Sequence, residues 1–138
     1  MKAMLFGTFD GLHVGHIDLL RQAQELADEV VVLVAQDSTV EKVKGARPIQ
    51  TIEERMQVLK AIKGIDKVIA GHPDDVYARI EQIRPDCIIL GYDQNAFVEK
   101  LEHILEERKM PAQIIRAKKY QAAERKSSML KPGLLERI

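Results

Sequence analysis

Val30-Val31-Val32-Leu33-Val34-Ala35 is an unbroken apolar run rich in β-branched residues, with no polar position to turn toward water. As a strand it must be covered on both faces, which is the condition of a central strand in a parallel sheet rather than of a half-solvated antiparallel one. That requirement governs its neighbours. Upstream, Ala3-Met4-Leu5-Phe6 reads as a first buried strand, and the spacing of Val14, Ile17, Leu20, Ala23 and Ala27, widened by Leu19 and Leu26, predicts a helix between the two. Strand, helix, parallel strand implies a right-handed crossover.

The same alternation continues downstream. Thr51 with Glu54 three residues on is a capping box, opening a helix through Ile52, Met56, Leu59 and Ile62 that Gly64 ends. A third strand follows over 66–70, closed by Gly71. His72-Pro73-Asp74-Asp75 is a turn and helix start, with Val76, Ile80 and Ile83 on one face and Pro85 as the stop. Cys87 to Leu90 is a fourth strand. Asn95 is placed to cap a helix that turns Phe97, Leu101, Ile104 and Leu105 inward, and Gln113-Ile114-Ile115 makes a fifth strand after Met110-Pro111. With no repeat or linker, residues 1–138 read as a single domain: an α/β, Rossmann-like, doubly wound five-stranded parallel sheet with helices on both faces. The polar stretch from Gln36 to Gln50, which carries Lys42, Lys44, Gly45, Arg47 and Pro48, reads as a mobile loop long enough to have a functional role.

Charge narrows the function. Lys plus Arg and Asp plus Glu balance at 21 each, so there is no bulk basic field of the kind that binds nucleic acid or a membrane surface, and an anionic ligand must be held by a local cluster. Cys87 is the only cysteine, which excludes an internal disulfide and a cysteine-based zinc site. Lying inside a strand, it reads as a buried, inert thiol. No apolar run has the length of a membrane span, and Gly7 and Asp10 cut the N-terminal one short of a signal peptide. A soluble, cytoplasmic protein is the expectation.

The local cluster is the turn between the first strand and the first helix, Gly7-Thr8-Phe9-Asp10-Gly11-Leu12-His13-Val14-Gly15-His16. In a parallel sheet this turn lies at the carboxyl edge, where ligands bind, and the new helix points unpaired N–H groups there, an arrangement that favours phosphate. His13 and His16 share one helix face. Three readings are open to them: a capping histidine beside a surface one, a zinc-binding pair, or donors to phosphate. Metalloprotease pairs stand four apart around a Glu, and no third ligand is evident, so phosphate leads. Gly11 and Gly15 allow close approach of ligand and backbone, and Gly15 inside a helix costs about 1 kcal/mol against Ala, which a nucleotide lying over the turn would justify. The dinucleotide-binding and Walker glycine patterns are both absent.

His13-Val14-Gly15-His16 resembles the His-x-Gly-His signature of the nucleotidylyltransferase superfamily, and Gly7-Thr8-Phe9-Asp10 is the form seen in its cytidylyltransferase-like branch. Ala35 to Val40, Lys44-Gly45, Arg47-Pro48-Ile49, Glu54-Arg55, Val68 to Gly71, Arg84-Pro85-Asp86 and Leu90 to Gln94 look like archaeal FAD synthases. The resemblance implies transfer of AMP from ATP to the phosphate of FMN, giving FAD and pyrophosphate, with a divalent metal, Mg²⁺, carried by the nucleotide. It implies His13 and His16 as donors to phosphate oxygens, with Lys44 as a third catalytic group. Thr8, the backbone near Phe9, Asp10 and Gly15 would line or orient the nucleotide pocket. By their positions, Lys42 and Lys44 on the polar loop are candidates to close over the triphosphate, and Gly91 and Asp93, at the same sheet edge beyond the fourth strand, to meet the nucleotide, Asp93 at its ribose or metal. Arg55 would bind ligand too: a cation early in a helix opposes the dipole, and matching family members have Arg there. Ser127 and Ser128 align with the family's second signature, although Lys126 and Met129 replace its usual Ile and Thr. His72 and His103 read as surface residues, while Lys118, Lys119, Arg125 and Lys126 are candidates to steer anionic substrate.

Within the same chemistry, glycerol-3-phosphate cytidylyltransferase and heptose-phosphate adenylyltransferase are alternatives. A catalytically weak nucleotide-binding sensor is the alternative of another class. Partners are expected to be ATP, a phosphorylated small-molecule acceptor and a second copy of the chain, with no nucleic acid and no membrane; the homodimer follows from the resemblance alone.

Overall fold

The computed structural model describes residues 1–95 and 97–120. Its elements, in chain order, are β1 (Lys2–Gly7), α1 (Val14–Leu26), β2 (Glu29–Val34), α2 (Asp37–Lys44), α3 (Ile52–Lys60), β3 (Lys67–Ala70), α4 (Ala78–Ile83), β4 (Cys87–Leu90), α5 (Leu101–Glu107) and β5 (Gln113–Arg116). The five strands form one parallel sheet in the order β3-β2-β1-β4-β5.

Side-chain alternation divides the core into two layers. Ala3 and Leu5 of β1, Val30, Val32 and Val34 of β2, and Cys87 and Ile89 of β4 pack with Leu20 and Ala23 of α1 and with Ile52 and Leu59 of α3. Met4, Val31, Ile88 and Leu90 face the other way, onto Ile80 of α4 and onto Leu101 and Leu105 of α5. The Val30–Val34 run is therefore apolar throughout because both of its faces are covered. Burial raises the pKa of the Cys87 thiol, and Cys87 is a core side chain. The order in which strands are added reverses between β1 and β4, so the carboxyl ends of these parallel central strands open a crevice at the switch point. Among the described residues no helix is long and apolar enough to cross a membrane.

Three local expectations change. Most of the predicted mobile loop over 36–50 is the helix α2, which has Asp37 in its first turn and Lys42 and Lys44 in its last, both matched to the helix dipole. Gly45 ends it at φ 78, where its N–H reaches Glu41 O, and Thr39 and Val40 are the buried positions. Eight residues give too few turns for a periodic signal to stand out. On the far side of the sheet, α4 begins at Ala78 rather than in the Asp74-Asp75 turn. Asn95 does not cap α5: Phe97 takes a left-handed φ of 64, which interrupts the chain between Asn95 and the helix start at Leu101.

Candidate active site

A cavity of about 580 Å³ lies over the carboxyl ends of β1, β2 and β4. From the first turn, Thr8, Phe9, Asp10, His13 and His16 line it; Lys44 enters from α2, and Gly91 and Asp93 from beyond β4. Lys42 is exposed on α2 and is not part of the wall. Ser127, Ser128, Arg125 and Lys126 lie outside the described residues.

The histidine pair is held by the helix it begins. His13 is the N-cap of α1: its Nδ1 accepts from the Gly15 N–H at 3.0 Å, and His16 Nδ1 accepts from the His13 N–H at 3.2 Å. This is a capping box made of two imidazoles. A neutral imidazole that accepts at Nδ1 carries its proton on Nε2, so the caps set both tautomers and leave two Nε2–H donors. The rings are tilted by 34° with centroids 4.0 Å apart, and Phe9, itself at φ 54, sets its ring 5.7 Å from that of His16. Burial, then the neighbouring His13 and the Lys44 ammonium, lower the His16 pKa to about 4, against a weaker pull from Asp93. His16 is thus a neutral donor at pH 7.

The glycine inside α1 has a reason internal to the protein. A Cβ on Gly15 would stand 2.8 Å from His13 Cε1 and 3.0 Å from its Nδ1, so Gly15 makes room for the capping ring rather than lining the cavity itself. Gly15→Ala is expected to displace that ring and lower kcat by on the order of tenfold to a hundredfold with the fold retained, read from steady-state rates beside circular dichroism.

The His16 shift also has a sign in stability. Its folded pKa of about 4 lies below the ordinary value of 6.5, so between those two pH values the unfolded chain holds a proton that the folded chain does not. Stability conferred by neutral His16 is present above pH 6.5 and is lost as pH falls toward 4. Wild type should therefore lose more in melting temperature over that window than His16→Asn does, and equal losses would contradict the assignment.

Asp10, in the cavity wall, and Arg55, behind it, hold the backbone around the site. Asp10 accepts from the Ile49 N–H at 2.8 Å and the Gln50 N–H at 2.9 Å, and these two bonds, that to Gln50 first, hold its pKa below the ordinary value. Gln50 Oε1 accepts in return from the Gly11 N–H at 3.0 Å. The segment between α2 and α3 is thereby tied to the histidine turn. Arg55 is fully buried and does not line the cavity. Its Nε donates to Gln50 O at 3.1 Å, Nη1 to Thr8 O at 2.8 Å and Nη2 to Asp37 Oδ1 at 2.7 Å. All three nitrogens are engaged within the protein, so the structure places Arg55 as a positioning residue where the sequence suggested a ligand contact.

Gln94 and Arg116 were not anticipated as site-builders. Gln94 Nε2 donates to Phe6 O at 2.8 Å and its Oε1 accepts from the Gly91 N–H at 3.1 Å, pinning the ends of β1 and β4 together. Arg116 Nη1 donates to the carbonyls of Gly91, Tyr92 and Gln94. His72, expected on the surface, lines the cavity; its place directly after β3, at the carboxyl edge, was the available signal. His103 is exposed and pairs with Glu107. Among the described residues no group of three or more His, Cys, Asp or Glu is arranged to hold a metal ion.

Comparison with known proteins agrees with this architecture. A family model described as cytidylyltransferase-like matches residues 4–131. The FAD synthase of Thermococcus sibiricus is 47% identical over 117 residues, covering 84% of this chain and 79% of that protein. The FAD synthase of Thermoplasma acidophilum is 37% identical over 138 residues, 100% of this chain and 96% of that one. A solved structure from Thermoplasma volcanium, titled a lipopolysaccharide core biosynthesis protein, superposes with a TM-score of 0.81 at 36% identity, covering 88% of this chain and 98% of its own. At 15% identity the pantoate-β-alanine ligase of Francisella tularensis shares the fold alone, with a TM-score of 0.59 over 98% of this chain and 67% of that one. The match runs through the histidine turn and across both halves of the sheet, and the chain belongs to the cytidylyltransferase-like family.

Proposed function

We propose that the protein is an FMN adenylyltransferase, joining AMP from ATP to the phosphate of FMN and releasing pyrophosphate. The observation that carries the reaction class is the histidine capping box, which presents two Nε2–H donors at one cavity beside the Lys44 ammonium. The acceptor is supported by the FAD synthases to which the chain is similar over most of its length.

In the reaction an oxygen of the FMN phosphate forms a bond to the α-phosphorus of ATP, while the bond from that phosphorus to the bridging oxygen of pyrophosphate breaks. A phosphomonoester with its second pKa at about 6 is already mostly a dianion at neutral pH, so no general base is needed. The demand is to hold two anions together and stabilise charge at the α-phosphate, which is work for fixed donors. His13 and His16 supply them, preset by the Gly15 and His13 N–H groups. Lys44, with no hydrogen-bond or ion-pair partner among the described residues, is placed to neutralise the leaving pyrophosphate, whereas Lys42 faces solvent. Mg²⁺ enters with the nucleotide substrate, since it is typically held by phosphates and one or two carboxylates. Asp93 fits that need better than Asp10, whose oxygens are engaged by Ile49 and Gln50. A homodimer belongs to the same proposal and is read by sedimentation.

The test incubates the protein with Mg²⁺, ATP or CTP, and FMN, glycerol-3-phosphate or heptose-1-phosphate, with products identified by mass. FAD from ATP and FMN alone is the expected result, abolished by a chelator and restored by Mg²⁺. Pyrophosphate release with another pair would replace the acceptor. Nucleotide binding without any turnover would favour a sensor.

A further inference from the structure

The cavity has two flanks of different chemistry. On the β4 side stand Gly91, Asp93 and Asn95, polar groups suited to sugar hydroxyls. On the opposite side, after the ends of β2 and β3, come Leu33, Val40, Val43, His72 and Val76, and Phe97 joins them from the segment after β4, its carbonyl bonded to the Tyr77 hydroxyl. Val43 is 46% and Phe97 37% exposed, large apolar side chains left uncovered at the mouth of a cavity.

Phe97 is also strained. A phenylalanine at φ 64 sits in a region costing of order 1 kcal/mol or more, which persists only where the surroundings impose it. Tyr77, packed in the core layer with Ile80, donates its hydroxyl to Phe97 O at 2.8 Å and ties this turn down. The bond holds the Phe97 backbone to Tyr77, and the Phe97 side chain lines the same cavity as Val76. His72 is fixed comparably. Its Nδ1 accepts from the Asp74 N–H at 3.1 Å and the Asp75 N–H at 3.0 Å, so the neutral ring carries its proton on Nε2, for which no described residue is an acceptor.

We propose that this flank of the cavity, lined by Phe97, Val76, Val43 and His72, seats the flat ring system of the acceptor, which lies against the Phe97 ring and accepts a hydrogen bond from His72 Nε2. The proposal rests on the FMN adenylyltransferase reading, and it names the residues that would read the acceptor rather than perform the transfer. An isoalloxazine has one apolar edge and one edge of carbonyl oxygens and ring nitrogens, which matches a wall of valines and phenylalanine ending in a single N–H donor. Glycerol phosphate has no ring to place there and gains nothing from it.

The test measures KM for FMN and for ATP separately on the full chain, together with riboflavin binding by quenching of flavin fluorescence, which reads the ring without its phosphate. Phe97→Ala should raise the FMN KM about tenfold, the scale of losing one aromatic stacking platform, with the ATP KM moving by less than about twofold. Phe97→Tyr should restore it. His72→Asn keeps a short acceptor for the Asp74 and Asp75 N–H groups while removing the Nε2 donor, and should raise the FMN KM about fivefold. Riboflavin affinity should fall by the same factors. If wild type makes FAD but these variants leave the FMN KM and riboflavin binding unmoved, or shift the ATP KM equally, the flank is not the acceptor seat. If wild type makes no FAD from ATP and FMN, the functional reading itself fails.

Discussion

Replacing His16 with alanine is expected to lower kcat by about a hundredfold or more, the scale for removing one preorganised donor from a site of developing charge. The reason lies in the cap. His16 Nδ1 is occupied by the His13 N–H, so the ring cannot turn its proton-bearing Nε2 away from the cavity without losing that bond. With its pKa lowered to about 4, chiefly by burial, the ring stays neutral and donates across the working pH range. Two further substitutions separate the cap from the donor. Asparagine places an acceptor near the Nδ1 position and keeps the cap, so His16→Asn should be nearly as slow as His16→Ala. Glutamine reaches the Nε2 position with an amide N–H and should recover part of the rate. The pH profile adds a check: no limb in kcat should come from His16 near its ordinary pKa, and the acid limb near pH 6 should follow protonation of the acceptor phosphate. A near-normal rate for His16→Asn would end the donor assignment.

What the chain discloses before folding depends on how local the cause is. The Val30–Val34 run could be read as a doubly covered strand because burial on both faces leaves its mark on every consecutive residue. His13 and His16 were legible because their partners, the Gly15 and His13 N–H groups, lie within three residues. Helix α2 was not legible, since eight polar-rich residues give only two turns of pattern and their buried members are just Thr39 and Val40. Gly15 looked like a concession to a ligand; its reason, the folded-back His13 ring, needs coordinates. Arg55 is the plainest case. Its spacing in α3 showed a cation at the wrong end of a dipole, but the groups that neutralise it come from Thr8 and Asp37, residues 47 and 18 positions away.

Arg55→Ala should destabilise the fold by about 3–5 kcal/mol, the range for removing one partner of a buried ion pair, measured as a shift in urea midpoint at constant m. Three acceptors lose their donor at once: Gln50 O, Thr8 O and Asp37 Oδ1. Water can reach Asp37, whose side chain is 24% exposed, but the void is left by a side chain with no exposure at all. Against a total stability of about 5–15 kcal/mol for a small domain, such a loss is a large fraction. Arg55→Lys should recover little of it, because one ammonium on a flexible stem cannot meet three acceptors that a planar guanidinium meets together. Asp37→Asn keeps an acceptor and removes only the charge, so it should fold. Because Arg55 and Asp10 together hold Gln50 against the histidine turn, this milder change should lower kcat more than it raises either KM, by loosening the donors rather than removing a ligand contact. If Asp37→Asn raised the ATP KM alone, Arg55 would be acting on the nucleotide after all. If Arg55→Ala left the urea midpoint unchanged, the three bonds it makes would be incidental to the fold.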